Sequence, residues 1–349
     1  MTLRRRTLLA GLTGLAGGLV AAGAGSAVAL DRRRVLHVRP GDSVQAAVDA
    51  VEGSGWTVVV HPGTYREVVN VPAGAGELTL RGATRDPRDV VIVYDNANGT
   101  QRPDGSGTYG TAGSATFTSA APGLTVRDLT LANDWLRADH PEITGTQAVA
   151  AYVTGDRSSF TNVRLLAHQD TLFADTSALE AFDRHCYSRC YIEGDVDFVF
   201  GRATAVFADC HFNTLERDVE FTPKGMVFAP STARANPHGF LAVRSRVTSA
   251  AEDAAYKLAR PWVPSYETTA WPSLVVRDTR IGPGIDPVAP YTNMRDAYPW
   301  QSMRFHEYRN TGPGSVITVP ENRPQLTAAE ARLHTPATYL GGWEPVRSL

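Results

Sequence analysis

Six short runs recur through the middle of the chain with one texture: Leu124-Thr-Val-Arg-Asp-Leu-Thr-Leu131, Phe160-Thr-Asn-Val-Arg-Leu165, Tyr187-Ser-Arg-Cys-Tyr-Ile192, Phe207-Ala-Asp-Cys-His-Phe212, Ala242-Val-Arg-Ser-Arg-Val247 and Val276-Arg-Asp-Thr-Arg-Ile281. Their last apolar residues lie 34, 27, 20, 35 and 34 positions apart. A unit this short cannot bury an apolar face by itself, so it has to stack on its neighbours. Alternating apolar and polar residues, with breaks at Gly, Pro, Asn and Asp, give each unit strand character. The expected fold is all-β: a parallel β-helix, a single-stranded solenoid with loops of variable length. A β-sandwich also has many short strands, but they recur roughly every 8–12 residues without such self-similarity.

Two helices are expected outside the repeats. Val44, Ala47, Val48 and Val51 follow Ser43 at helical spacing, with Ser43 as N-cap. Thr327-Ala-Ala-Glu330 reads as a capping box before Leu333. A solenoid needs its apolar ends covered, and the two helices are expected to cap them.

Residues 1–29 read as an address and not as structure. Arg4, Arg5 and Arg6 precede an apolar run from Leu8, which ends in small residues at Ala27-Val28-Ala29, a cleavage pattern for an export signal. The Arg5-Arg6-Thr-Leu-Leu9 order resembles a twin-arginine leader. Residues 30–349 are then expected to form one secreted domain, acting as a monomer and with no membrane span once the leader is removed. Its charge excludes another partner. The mature segment has 31 basic against 36 acidic residues, and its only lysines are Lys224 and Lys257, so nothing is available to neutralise a nucleic-acid backbone.

The chemistry is expected on neighbouring turns of the solenoid. Asp170 lies 27 residues before Asp197, and Val163 lies 27 before Cys190. Repeat alignment therefore sets the two carboxylates on one face of adjacent coils, under about 5 Å apart in the stacking direction. Such a pair tends to share a proton, giving an acid and a nucleophile or base. Arg260 is the candidate partner of the ionised member, Trp262 a flat face for a sugar ring, and the Gln147 and Gln169 amides candidate donors to an oxyanion. Asp195 is read as structural. His168 should turn to the opposite side of its strand from Gln169, as a structural histidine. No metal-binding motif occurs, no cofactor is implied, and the G-x-S-x-G elbow of a serine esterase is absent.

The blocks Gly63-Thr-Tyr65-Arg-Glu67, Gln147-Ala-Val-Ala-Ala151, Gln169-Asp-Thr-Leu172, Gly194-Asp-Val-Asp-Phe-Val-Phe-Gly201 and Leu258-Ala-Arg-Pro-Trp262 stand in the order found in pectinesterases, and Tyr308-Arg-Asn-Thr-Gly-Pro-Gly314 matches a further family segment. The chain resembles that family through nearly all of its mature length. It departs at Ala151, Ala259 and Phe173, none of them a reacting group. The resemblance implies a right-handed parallel β-helix and hydrolysis of galacturonate methyl esters in pectin. It makes Asp197 the nucleophile, Asp170 the general acid and then base, and Gln169 and Gln147 oxyanion and substrate amides. It makes Thr111, Arg260 and Trp262 substrate-side groups, with Phe173 and Phe200 bordering the groove. Cys190 and Cys210 hold equivalent positions in consecutive units, and the resemblance agrees with a disulfide between them, leaving Cys186 over.

Residue patterns alone leave alternatives. Asp197 could instead act as a general base on water. A glycosidase could use the same two acids and a lyase could use Arg260, while a binding solenoid would need none of them.

Overall fold

A computed structural model describes residues 34–217 and 221–345; the expected export segment, residues 1–29, lies outside the described residues. Among these the strands form three sheets of ten, eight and seven strands, paired in parallel throughout. The chain visits the sheets in rotation: Leu78–Gly82 in the first, Val90–Tyr94 in the second, Phe117–Ser119 in the third, then Thr125–Arg127 in the first again. This is a parallel β-helix, as the repeat implies.

The repeat is visible as register. Leu131, Leu165, Ile192, Phe212, Val247 and Ile281 stand opposite one another in successive strands of the second sheet, all pointing into the core. In the first sheet Phe160, Tyr187 and Phe207 form an equivalent internal column, with ring centroids 5.0 and 4.9 Å apart. Each of the six runs is two strands and not one. Between them Asp128, Asn162, Arg189, Asp209, Arg244 and Asp278 adopt φ of 58, 54, 53, 57, 51 and 49°. One left-handed residue turns the chain through the corner between two sheets, and short polar side chains tolerate that conformation best. Facing corners also pair, as in Asn162 Nδ2 donating to Asp128 Oδ1 at 2.8 Å and Arg244 Nη2 donating to Asp209 Oδ2 at 2.9 Å.

The helix Val44–Asp49 sends Val44 and Val48 into the first coils. Ser43 caps it by accepting from Ala46 N, and the Glu67 carboxylate accepts from Ser43 Oγ, Val44 N and Gln45 N, so it satisfies the helix's first orphan donors. Tyr65, from the same block, donates its hydroxyl proton to His61 O at 2.8 Å. Both residues serve the fold.

Two expectations are corrected. The capping box at Thr327 forms and starts the helix Ala328–Ala331, but this helix and the next, Pro336–Leu340, do not close the C-terminal end. They lie on the outer face of the first sheet, where Cys186, Val206, Leu241 and Val275 make an outward apolar row covered by Leu326, Ala331, Tyr339 and Leu340. That row would otherwise meet water, and the cover removes it. The last coil instead closes over Tyr291, Trp300 and Phe305, beside the buried Arg323–Glu307 pair at 2.9 Å.

The Cys190–Cys210 bridge is likewise not formed, and all three cysteines, Cys186 included, are free and buried. The two residues do stack in consecutive coils, one after the other. Each thiol reaches a main-chain carbonyl: Cys190 Sγ donates to Phe160 O at 3.5 Å, and Cys210 Sγ to Tyr187 O at 3.4 Å. Burial pushes the Cys186 thiol up to about 12 and that of Cys210 well above its usual value.

Candidate active site

The site grows from the outer face of the third sheet. In the strands Leu172–Ala174 and Val199–Gly201, Leu172, Ala174 and Val199 point into the core, and alternation turns Phe173 and Phe200 outward. These two rings pair in register and stack with centroids 4.2 Å apart, and Trp262 sets its ring against both at 5.8 and 5.6 Å. The result is a flat aromatic floor and wall.

Asp170 and Asp197 each stand two residues before this pair of strands. Since Leu172 pairs with Val199 and Asp170 N donates to Val196 O at 3.0 Å, the carboxylates occupy neighbouring coils, one strand spacing or about 4.8 Å apart along the stack. Both adopt left-handed backbone, with φ of 66 and 48°. Here the corner turns from the second sheet into the third and aims each acid outward. The glycines of the Gly194–Gly201 block make room for it. A Cβ on Gly194 would stand 2.3 Å from Phe198 Cβ, and one on Gly201, at φ 125°, would stand 2.0 Å from Ala174 O.

Arg260 follows the strand Tyr256–Ala259, and its main-chain N–H donates to Phe228 O, which continues the ladder past Phe200 and Ala229. Its guanidinium forks onto Asp197, with Nε 2.8 Å from Oδ1 and Nη2 2.6 Å from Oδ2. Burial lifts both carboxyls. For Asp170 the negative charge of Asp197 adds to burial and holds the group well above the usual carboxylate range. For Asp197 burial is opposed by Arg260, through its charge and its hydrogen bonds. Asp170 is therefore the member that keeps a proton while Asp197 is ionised.

The amides are oriented by their oxygens. Asn98 Nδ2 donates to Gln147 Oε1 at 2.9 Å and to Thr111 Oγ1 at 3.0 Å, and Thr146 Oγ1 donates to Gln169 Oε1 at 2.7 Å. Each side-chain carbonyl oxygen is thus held by a neighbour, and both amides line the same cleft as the two carboxylates.

Behind the floor, Asp195 is fully buried and accepts a fork from Arg137 at 2.6 and 2.9 Å, together with the Val196 N–H at 2.7 Å. Burial opposes its ionisation, but hydrogen bonds from His168 and Arg137 hold its carboxyl well below the usual range. His168 Nδ1 lies 3.4 Å from it, on the far side of the strand from Gln169. Both residues are structural, as expected.

Every site residue expected from the sequence lines one cleft of about 440 Å³: Thr111, Gln147, Gln169, Asp170, Phe173, Asp197, Phe200, Arg260 and Trp262. Sequence reasoning missed Ala112, Ala229, Tyr266 and Met294, which complete the lining, and Asn98 and Thr146, which orient the amides. Tyr266 and Met294 come from long loops with no repeat signal. Asn98 approaches Gln147 only because its N–H donates to Gln147 O at 2.8 Å across 49 residues of chain. Among the described residues no group of three or more His, Cys, Asp or Glu side chains is arranged to hold a metal ion.

The family model described as Pectinesterase matches residues 40–342. A pectinesterase of Ralstonia solanacearum is 34% identical over 307 residues, spanning 78% of this chain and 76% of that protein. Pectinesterase A of Dickeya dadantii strain 3937 is 33% identical over 323 residues, 83% of each. Among solved structures, pectin methylesterase PemA from Erwinia chrysanthemi matches with a TM-score of 0.77 at 30% identity, covering 89% of this chain and 98% of that one. A pectin methylesterase in complex with a hexasaccharide matches at 0.76 and 30%, covering 88% and 94%.

Proposed function

The chain belongs to the pectinesterase family and is a carboxylic ester hydrolase, and from that premise we propose that it removes the methyl groups of galacturonate esters in pectin, with Asp197 as nucleophile and Asp170 as acid and then base. The observation that carries this reading is the asymmetry of the acid pair: Arg260 forks onto Asp197, whereas burial and the Asp197 charge keep the proton on Asp170.

Ionised Asp197 attacks the ester carbonyl carbon, and its oxygen becomes an oxyanion facing the NH2 groups of Gln169 and Gln147. The bond to the methoxyl oxygen then breaks, and Asp170 gives its proton to that oxygen, so methanol departs and an anhydride joins Asp197 to the sugar's carboxyl carbon. Asp170, now a carboxylate, takes a proton from water as that water attacks the same carbon. Asp197 leaves ionised, the sugar carboxylic acid is released, and Asp170 again holds its proton. The Phe173, Phe200 and Trp262 faces support the sugar, and Thr111 contacts it from the cleft edge. The hexasaccharide bound to the related esterase favours a polymeric substrate. The leader at residues 1–29 favours a secreted enzyme acting on an extracellular polymer.

The test is methanol release from highly esterified pectin without added metal, with polymer length followed in parallel. Methanol with unchanged length is the expected result. New reducing ends or an unsaturated product would show depolymerisation, and absence of methanol would contradict the methylesterase reading.

A further inference from the structure

Three consecutive coils supply the acids and amides of the cleft, and they do not cross from the second sheet to the third by the same route. Residues 167–171 and 195–198 make two short corners, whereas residues 134–150 form a long loop in the coil before them. That loop carries Thr146 and Gln147 at its far end, the first short corner carries Gln169 and Asp170, and the second carries Asp197. Main-chain bonds join the two short corners, with Asp195 N donating to His168 O at 2.9 Å and Asp170 N to Val196 O at 3.0 Å. The long loop first joins this ladder at Ala148, whose N–H donates to Gln169 O at 3.1 Å.

Asp195 supplies a second tie. Arg137, near the start of the loop, reaches past the intervening coil, two strand spacings or about 10 Å along the stack, and forks onto Asp195 at 2.6 and 2.9 Å. His168 Nδ1, in the coil between, lies 3.4 Å from the same carboxylate, and the N–H of Val196, next to Asp197, donates to it at 2.7 Å. One fully buried carboxylate is therefore tied to all three coils. A buried ion pair is a poor source of stability by itself, because desolvation offsets its attraction, but a bidentate one fixes distance and direction.

We propose that Asp195, gripped by Arg137, is a positioning residue for the ester hydrolysis: it clamps the amide-bearing loop onto the corners that carry Asp170 and Asp197, and its charge acts on that acid pair. This deepens the methylesterase reading and rests on it. Asp170 faces Asp197, Arg260, Asp195 and Arg137, and Asp197 faces Arg260 and Asp195. Asp195 itself faces Arg137 and His168, and also Tyr256, whose hydroxyl donates to Leu215 O at 2.7 Å. At both acids the Asp195 charge favours the protonated form, while Arg137 opposes it at Asp170.

The test is methanol release from highly esterified pectin across pH by wild type, Asp195→Asn and Arg137→Lys, with folding checked by circular dichroism and melting. Asp195→Asn keeps the shape of the side chain and removes its charge. Its kcat falls roughly 10- to 100-fold with KM changed less than about twofold, since a shift of about 1 Å at reacting groups can cost this much. Both limbs of its kcat/KM–pH profile move toward acid by about half a unit or more, because both acids lose a neighbouring negative charge. Arg137→Lys keeps the charge and loses the fork, so its limbs stay in place while kcat falls roughly tenfold. A residue serving stability alone would lower the melting temperature and leave kcat and the pH profile of both folded variants as in wild type. That result overturns the positioning role and leaves the methylesterase reading standing. If Asp195→Asn does not fold, an unchanged kcat in Arg137→Lys overturns the proposal and a reduced one supports it. No methanol from wild type overturns the methylesterase reading and the proposal together.

Discussion

Arg260 closes on both carboxylate oxygens of Asp197, with Nε 2.8 Å from one and Nη2 2.6 Å from the other. Sixty-three residues separate them in the chain, and the stacking of coils alone brings them together. Bidentate charge-assisted bonds of this kind fix orientation as well as charge. In the mechanism proposed above, they are what makes one of two adjacent buried acids the nucleophile and leaves the other to carry the proton.

Arg260→Gln should therefore move the acidic limb of the pH–kcat/KM profile upward by at least about one unit, because Asp197 loses the charge that opposes burial and must be ionised to react. The profile of methanol release against pH checks this. An acidic limb that stays in place would mean that Arg260 does not set the ionisation of Asp197.

Gln169→Leu should lower kcat roughly 10²- to 10³-fold and change KM little, as expected when a donor acts on charge that exists only in the transition state. Thr146→Val, which removes the hydroxyl that orients the Gln169 amide, should give a smaller loss of the same kind. A change confined to KM in either variant would assign the amide to ground-state binding.

Acid should unfold the protein partly through His185. This side chain is fully buried, and burial pushes it down from 6.5 to about 4. A lowered folded value means that the unfolded chain takes up the proton first. The contribution is complete above about 6.5, is lost as pH falls toward 4, and amounts to about 3 kcal/mol in all. His185→Leu should flatten the fall of Tm across that window. An equally steep fall in the variant would place the acid sensitivity elsewhere.

Much of the fold was legible in the six runs because stacked coils place equivalent residues one strand spacing apart, so Leu131, Leu165 and Ile192 had to recur as they do. The corners were not legible: Asp128 and Arg189 look like ordinary polar positions within a strand, and only backbone geometry reveals the bend. The acid pair followed from the same periodicity. Asn98 and Thr146 did not, since they reach Gln147 and Gln169 from loops whose path no repeat dictates. The helix that starts at Thr327 was misplaced because capping signals locate where a helix starts and say nothing about which apolar surface it must cover, and the helix Pro336–Leu340 was not foreseen. The cysteine stack was read correctly in position, but both residues are free thiols that also reach main-chain carbonyls, and no disulfide joins them.

The most direct measurement of the central claim is methanol release by Asp197→Ala, with folding verified by its circular dichroism and melting curve. The variant keeps the coil register, which depends on main-chain bonds and the internal column, and should lose at least about 10³-fold in turnover on highly esterified pectin. Near-wild-type release from the folded variant would contradict the account, because no role for Asp197 as nucleophile or as base survives it.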